Sequence, residues 1–116
     1  MIFEQGDIVM VDFDPTVGHE PKSKRPALVV SSSVFNRATS MTIVCPITRV
    51  DNRFFLHEPL PQTCLVEGSI IMEQVRALDL DSRGATLVER LSERDMKPIL
   101  VCLSSFFTRD GDLPKQ

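Results

Sequence analysis

The apolar positions of this chain follow two rhythms, short unbroken runs through most of its length and a three-and-four spacing near the end. Ile8-Val9-Met10-Val11, with Gly6-Asp7 before it and Asp14-Pro15 after it, predicts a strand over Gly6 to Phe13. Pro26 to Ser31 predicts a second strand. Met41 to Thr48 predicts a third, rich in β-branched residues, in which Pro46 is tolerated only near a strand end, a bulge or an exposed edge. Thr48 then stands where that strand opens into a loop. Ser69 to Val75 reads as another strand, Arg76 to Leu80 as one that begins or continues after a bend, and Phe54-Phe55-Leu56 as a short one within a polar stretch. Strands this short, at this spacing, predict a small and strongly curved sheet or barrel.

Near the C-terminus Met96, Ile99, Leu100, Leu103, Phe106 and Phe107 fall on one face of a helix. Ser92-Glu93-Arg94-Asp95 before them has the form of a capping box, in which the serine hydroxyl accepts from an orphan backbone N–H and the acidic first turn faces the positive end of the helix dipole. Gly111 and Pro114 follow as breakers. The apolar stripe suits core packing, and a dimer interface could share it.

Composition changes this picture little, and charge changes it more. The 116 residues are 42% hydrophobic and 25% charged, values expected of one soluble domain over residues 1–116. No apolar run approaches the roughly 18 residues of a membrane-spanning helix, and the first residues lack a basic region followed by a long apolar stretch, so a cytoplasmic protein without membrane attachment is expected. Cys45, Cys64 and Cys102 are odd in number and widely spaced, which suits neither a disulfide framework nor paired zinc ligands; they read as free packing thiols. A net charge of −3 argues against non-specific coating of nucleic acid. The distribution is uneven, however. His19 to Arg53 holds six basic residues against two acidic ones, whereas Phe54 to Gln116 holds seven against ten. A locally positive surface on an acidic body fits a protein that engages a short piece of single strand.

The connection from Asp14 to Arg25 carries Pro15, Gly18 and Pro21 and no strand pattern, although it joins two strong strands. Connections of about a dozen residues without structure of their own are often functional. The chain has no HExxH, CxxC, GxSxG, phosphate-binding loop or dinucleotide fingerprint, and its two histidines, His19 and His57, lack metal-ligand spacing, so neither a metal nor a cofactor is expected. RNA cleavage needs no metal, because the 2′-OH can attack the adjacent phosphorus and expel the 5′-oxygen. An enzyme must then accept the 2′-OH proton, stabilise charge on the phosphoryl oxygens and protonate the leaving oxygen. Arg25 suits the second task through its planar, permanently charged fork, and Thr48 could add a hydroxyl donor. His19, Glu20 and Glu73 are the available acid–base groups, of which His19 changes charge near neutral pH.

Gly6-Asp7-Ile8-Val9-Met10-Val11-Asp12-Phe13-Asp14-Pro15-Thr16-Val17-Gly18-His19-Glu20, followed by Arg25-Pro26-Ala27-Leu28-Val29-Val30-Ser31, resembles the N-terminal signature of the MazF/PemK toxins. Phe35-Asn36-Arg37 is similar to an Asn-bearing turn of that family, Cys45-Pro46-Ile47-Thr48 to the end of its third strand, and Glu73-Gln74-Val75-Arg76-Ala77-Leu78-Asp79 to its later strand. The resemblance implies a mainly β fold, an SH3-like barrel with a C-terminal helix, and a homodimer that cleaves single-stranded RNA, often messenger RNA, sequence-selectively and is neutralised by a MazE-like antitoxin. It places the catalytic pair on Arg25 and Thr48, and His19 on the loop histidine of the PemK branch. Glu73 and Gln74 fall in the strand that helps line the RNA groove. Lys22, Lys24, Asn36, Arg49, Arg53 and Arg76 join Gln74 as expected RNA contacts. Three positions depart from the family pattern: Pro21 follows the loop Glu20 where glutamine is common, Glu73 replaces an aspartate, and Ile71 stands where the PemK branch carries an arginine with an acid–base role. Two other readings of such a chain are a gyrase-binding toxin like CcdB and a proline-peptide module. The first has no need of a phosphate-binding Arg and Thr pair, and the second requires an aromatic groove that a chain without Trp or Tyr lacks.

Overall fold

The computed structural model describes residues 1–13, 24–50 and 53–112. Its strands are β1 (Asp7–Val11), β2 (Arg25–Val29), β3 (Thr42–Thr48), β4 (His57–Pro59), β5 (Ser69–Ile71), β6 (Arg76–Leu78) and β7 (Thr86–Arg90). Helix α1 (Ser33–Thr39) lies between β2 and β3, and α2 (Glu93–Ser105) follows β7. All pairings are antiparallel, in the order β4-β5-β3-β2-β1-β7, with β6 also on β3. The fold is mainly β with a C-terminal helix, as expected from the sequence.

One edge of β3 is shared between two partners. Thr42 to Val44 pair with β6, whereas Ile47 and Thr48 pair with β5. A 3₁₀ turn over Met72–Gln74 makes the step between them, so the run read as one strand from Ser69 to Val75 is broken after Ile71. The expected strand at Phe54 to Leu56 is also displaced: the pairing begins at His57, opposite Ile71.

Alternation along the central strands explains why β1, β2 and β3 are apolar on both faces. Ile8, Leu28, Cys45 and Ile47 point to one side and join Ile70 and Met72 beneath Met96, Ile99 and Leu103 of α2. Val9, Val11, Ala27, Val29 and Val44 point to the other, where Phe3, Leu78 and Leu80 cover them. Each face is therefore a core, which is why these segments read as continuous runs. α2 begins as expected, with the Ser92 hydroxyl accepting from the Asp95 N–H at 3.1 Å. Met96, Ile99 and Leu103 of its stripe are buried and Leu100 and Phe106 half-buried, but Phe107 lies beyond the helix and is 81% exposed. Cys45, Cys64 and Cys102 are free, Cys45 within the α2-side core and the other two packed against it. Burial pushes the Cys45 thiol up to about 12.

Candidate nucleic-acid interface

The ends of β1 and β3 and the start of β2 meet at an open cleft of about 1000 Å³. It is lined by Met10, Asp12, Phe13, Arg25, Pro26 and Pro46 to Arg49, by the segment Leu65 to Glu67, and by Ile71, Gln74 and Arg76. β2 and β3 pair with Ala27 opposite Pro46 and Leu28 opposite Cys45. The same register carried two residues toward the cleft sets Arg25 opposite Thr48. Alternate residues share a face, and directly opposed residues lie about 4.5–5.5 Å apart at Cα. The face that buries Val11, Val29 and Val44 thus continues outward into Phe13, Arg25, Thr48 and Arg76, where the chain replaces core residues with cations, a hydroxyl and one aromatic ring.

Thr48, Phe13 and Arg76 have identifiable partners. Thr48 Oγ1 accepts from the Val50 N–H at 3.1 Å, which leaves its hydroxyl proton available to a ligand in the cleft. On its other edge Thr48 pairs with Ser69. Gly68, just before, has φ 140° and sits so close that a Cβ there would collide with the Thr48 carbonyl oxygen. The Arg76 guanidinium lies over the Phe13 ring, 5.4 Å from its centroid. Arg25, Arg49 and Arg76 face Asp12 and Glu67 among the described lining residues, an excess of positive charge that suits a phosphodiester.

The other expected site residues are distributed unevenly. Arg49, Gln74 and Arg76 line the cleft. Lys24 is exposed at its margin, where Nζ donates to the Gly84 carbonyl at 2.6 Å. Arg53 is exposed with φ 58° and is not part of the lining. His19, Glu20 and Lys22 lie outside the described residues. Glu73 does not join Gln74 in the cleft: the 3₁₀ turn sends it the other way, to pair with His57 Nε2 at 2.9 Å.

Asn36 is a correction. As an RNA contact it would need exposure, yet it is 2% exposed, with Nδ2 donating to the Phe3 carbonyl at 2.8 Å and Oδ1 accepting from the Ser31 hydroxyl. It is the one buried residue of α1, and it ties the N-terminal segment to the corner after β2. Ile71 lines the cleft, so the position at which the PemK branch carries arginine supplies an apolar wall here. Sequence reasoning passed over Asp12 and Phe13 at the site, although both close the first strand run and adjoin the loop singled out for function.

Comparison with known proteins identifies the family and the fold. Residues 4–107 match the family described as PemK-like, MazF-like toxin of type II toxin-antitoxin system. The chain is 34% identical to Endoribonuclease PemK of Escherichia coli over 111 residues, which cover 90% of this chain and 82% of that protein. It is 38% identical to Endoribonuclease toxin ChpB of Escherichia coli (strain K12) over 108 residues, covering 89% and 92%. Among solved structures, a MazE-MazF crystal structure from Deinococcus radiodurans superposes with a TM-score of 0.81 at 28% identity, over 92% of this chain and 96% of that one. A family match over most of the length, two relatives above 30% identity and a shared fold lead to one conclusion: the chain belongs to the PemK-like, MazF-like toxin family of type II toxin–antitoxin systems.

Proposed function

We propose that this protein is an endoribonuclease toxin that cuts single-stranded RNA at the Arg25–Thr48 cleft without a metal ion. The observation that carries this reading is the convergence of Arg25 and Thr48, from opposed strand ends, on one cleft with a net excess of arginine. The curated relatives are named endoribonucleases, which supports the reaction class.

A phosphodiester lying across the cleft meets Arg25 and the Thr48 hydroxyl at its non-bridging oxygens. As the substrate 2′-oxygen bonds to phosphorus, negative charge grows on those oxygens, and a guanidinium fork and an O–H donor held in place stabilise it without reorganisation. The P–O5′ bond then breaks, leaving a 2′,3′-cyclic phosphate and a 5′-OH once the leaving oxygen takes a proton. The arginine contributes charge and geometry only, because it stays protonated. Asp12 and Glu67 are the carboxylates that the described lining offers for the 2′-OH proton; His19 and Glu20, the loop candidates for it, lie outside the described residues. Arg76 on Phe13 offers a flat cationic and aromatic surface on which an unpaired base can stack.

Regulation and assembly belong to the same proposal. The MazE-MazF structure from Deinococcus radiodurans supports a MazE-like antitoxin as partner, and an acidic disordered segment that folds onto Arg25, Arg49 and Arg76 would occupy the RNA path. A homodimer acting in the cytoplasm, with selectivity for an RNA sequence, completes the reading. No helix among the described residues is long and apolar enough to cross a membrane. The gyrase-binding alternative leaves an Arg and Thr pair in a cleft without a task.

The test is cleavage of a long single-stranded RNA by purified protein in excess EDTA. Wild type is expected to cut it and Arg25→Ala to lose at least about 100-fold in rate, about 2.7 kcal/mol of transition-state stabilisation. Cutting that stops on chelation, or that Arg25→Ala leaves unchanged, overturns the proposal.

A further inference from the structure

The turn between β6 and β7 grips both stems of the segment that separates β1 from β2. Arg83 Nη1 donates to the Asp12 and Phe13 carbonyls, each at 3.0 Å, on the outgoing stem. On the returning stem, Lys24 Nζ donates to the Gly84 carbonyl at 2.6 Å. Two consecutive residues of one turn thus hold the backbone immediately after β1 and the side chain immediately before Arg25.

The turn is built to resist displacement. Asp79 Oδ1 accepts from the Ser82 N–H at 3.2 Å, and the Ser82 hydroxyl donates to the Asp79 carbonyl at 3.1 Å. The Leu80 carbonyl accepts from both the Arg83 and the Ala85 N–H groups, while the Leu80 side chain is anchored at 2% exposure in the core under β1 and β2. Gly84 has φ 63°, in the left-handed region that closes such a turn. Among the described residues the β1–β2 register runs as far as Val11 opposite Arg25. The two ties act on the residues next to that last pair.

We infer that Arg83, with Gly84, is a positioning element of the site: it holds Phe13 and the approach to Arg25 at the cleft while itself standing outside the lining. The guanidinium suits this role, since one nitrogen can serve two carbonyls from a planar, permanently charged group. A shift of about 1 Å in a phosphate-binding arginine is enough to lower turnover by about two orders of magnitude. The inference rests on the cleft being the cleavage site.

The experiment compares wild type with Arg83→Met, Arg83→Lys and Lys24→Met as full-length protein. Hydrogen exchange is read at the amides of residues 10–13, 24, 25 and 27, and steady-state cleavage of a mixed-sequence single-stranded RNA is followed across a salt series. In Arg83→Met the exchange of these amides is expected to quicken at least 10-fold while α2 is unchanged. kcat is expected to fall 10- to 100-fold, with KM within about threefold and the salt slope of kcat/KM as in wild type; Arg83→Lys should recover part of kcat. Unchanged exchange overturns the inference whatever the activity, and so does faster exchange with kcat intact. A loss confined to KM, with the salt slope reduced by about one, also overturns it and makes Arg83 a phosphate contact. Should Arg83→Met fail to fold, Lys24→Met carries the same expectations in exchange and kcat. Should wild type cut no RNA, the functional reading falls, and the exchange measurement alone decides the grip.

Discussion

Replacing Asn36 by alanine separates a structural residue from an RNA contact with one number. The Asn36 amide donates to the Phe3 carbonyl at 2.8 Å and accepts from the Ser31 hydroxyl, whose oxygen in turn accepts from the Ile43 N–H at 2.8 Å. Three segments distant in sequence meet there, and the residue is 2% exposed. Alanine leaves the Phe3 carbonyl and the Ser31 hydroxyl without that partner. Each such loss costs about 1–3 kcal/mol, so a total of about 2–6 kcal/mol is expected. At roughly 4 °C per kcal/mol for a domain of this size, the midpoint should fall by about 8–24 °C. Asn36→Asp should do no better, because it loses the Nδ2 donor and buries a charge. The assay is thermal unfolding followed by circular dichroism, paired with RNA cleavage at 25 °C per folded molecule. A midpoint within about 2 °C of wild type, with cleavage lost, would refute the structural assignment and restore Asn36 to the RNA surface.

Other expectations concern titration and the Leu65 to Glu67 wall of the cleft. Because the folded Cys45 thiol titrates near 12 rather than at the usual 9.0, the native state keeps a proton that the unfolded chain releases. Its contribution is therefore complete below pH 9 and falls by about 1.4 kcal/mol per unit between 9 and 12. A Cys45→Ala variant should show a shallower loss of stability in denaturant titrations over that window, and an identical slope would contradict the cause assigned. Glu89 accepts from the Leu65 and Val66 N–H groups at 3.0 and 2.9 Å, and Leu65 to Glu67 form part of the cleft wall. Glu89→Ala should destabilise the fold by about 1–2 kcal/mol and raise the KM for RNA several-fold, both readable by denaturant titration and steady-state kinetics; an unchanged KM would show that this wall does not touch substrate.

The central strands and α2 were legible because burial on both faces, or on one helical stripe, leaves a strong apolar signal. Two elements left none. α1 spans seven residues, buries only Asn36, and is capped by the Ser32 hydroxyl at one end and by Ser40 at φ 60° at the other, so Ser-Ser-Ser-Val-Phe-Asn-Arg reads as a polar turn. β7 is an edge strand whose residues are half-buried or exposed, and its pairing with β1 is interrupted between Ile8 and Val9. At the site, strand register made Arg25 and Thr48 neighbours, and both stood at recognisable strand ends. The direction taken by Glu73 depends on the 3₁₀ turn, and the burial of Asn36 depends on where Phe3 returns; spacing encodes neither. The grip of Arg83 on Asp12 and Phe13 spans about seventy positions of sequence and could be seen only in three dimensions.

The claim that the 2′-OH is the nucleophile can be tested on the substrate itself. Once a cleavage position has been mapped on a single-stranded RNA, the same strand is made with a single 2′-deoxy nucleotide immediately 5′ of the scissile phosphate and incubated with wild-type protein in EDTA. Cleavage at that position should vanish while cutting at other sites continues, and the unmodified strand should yield a 2′,3′-cyclic phosphate and a 5′-OH. Continued cutting at the deoxy position, or products ending in a 3′-OH and a 5′-phosphate, would contradict the mechanism at Arg25 and Thr48.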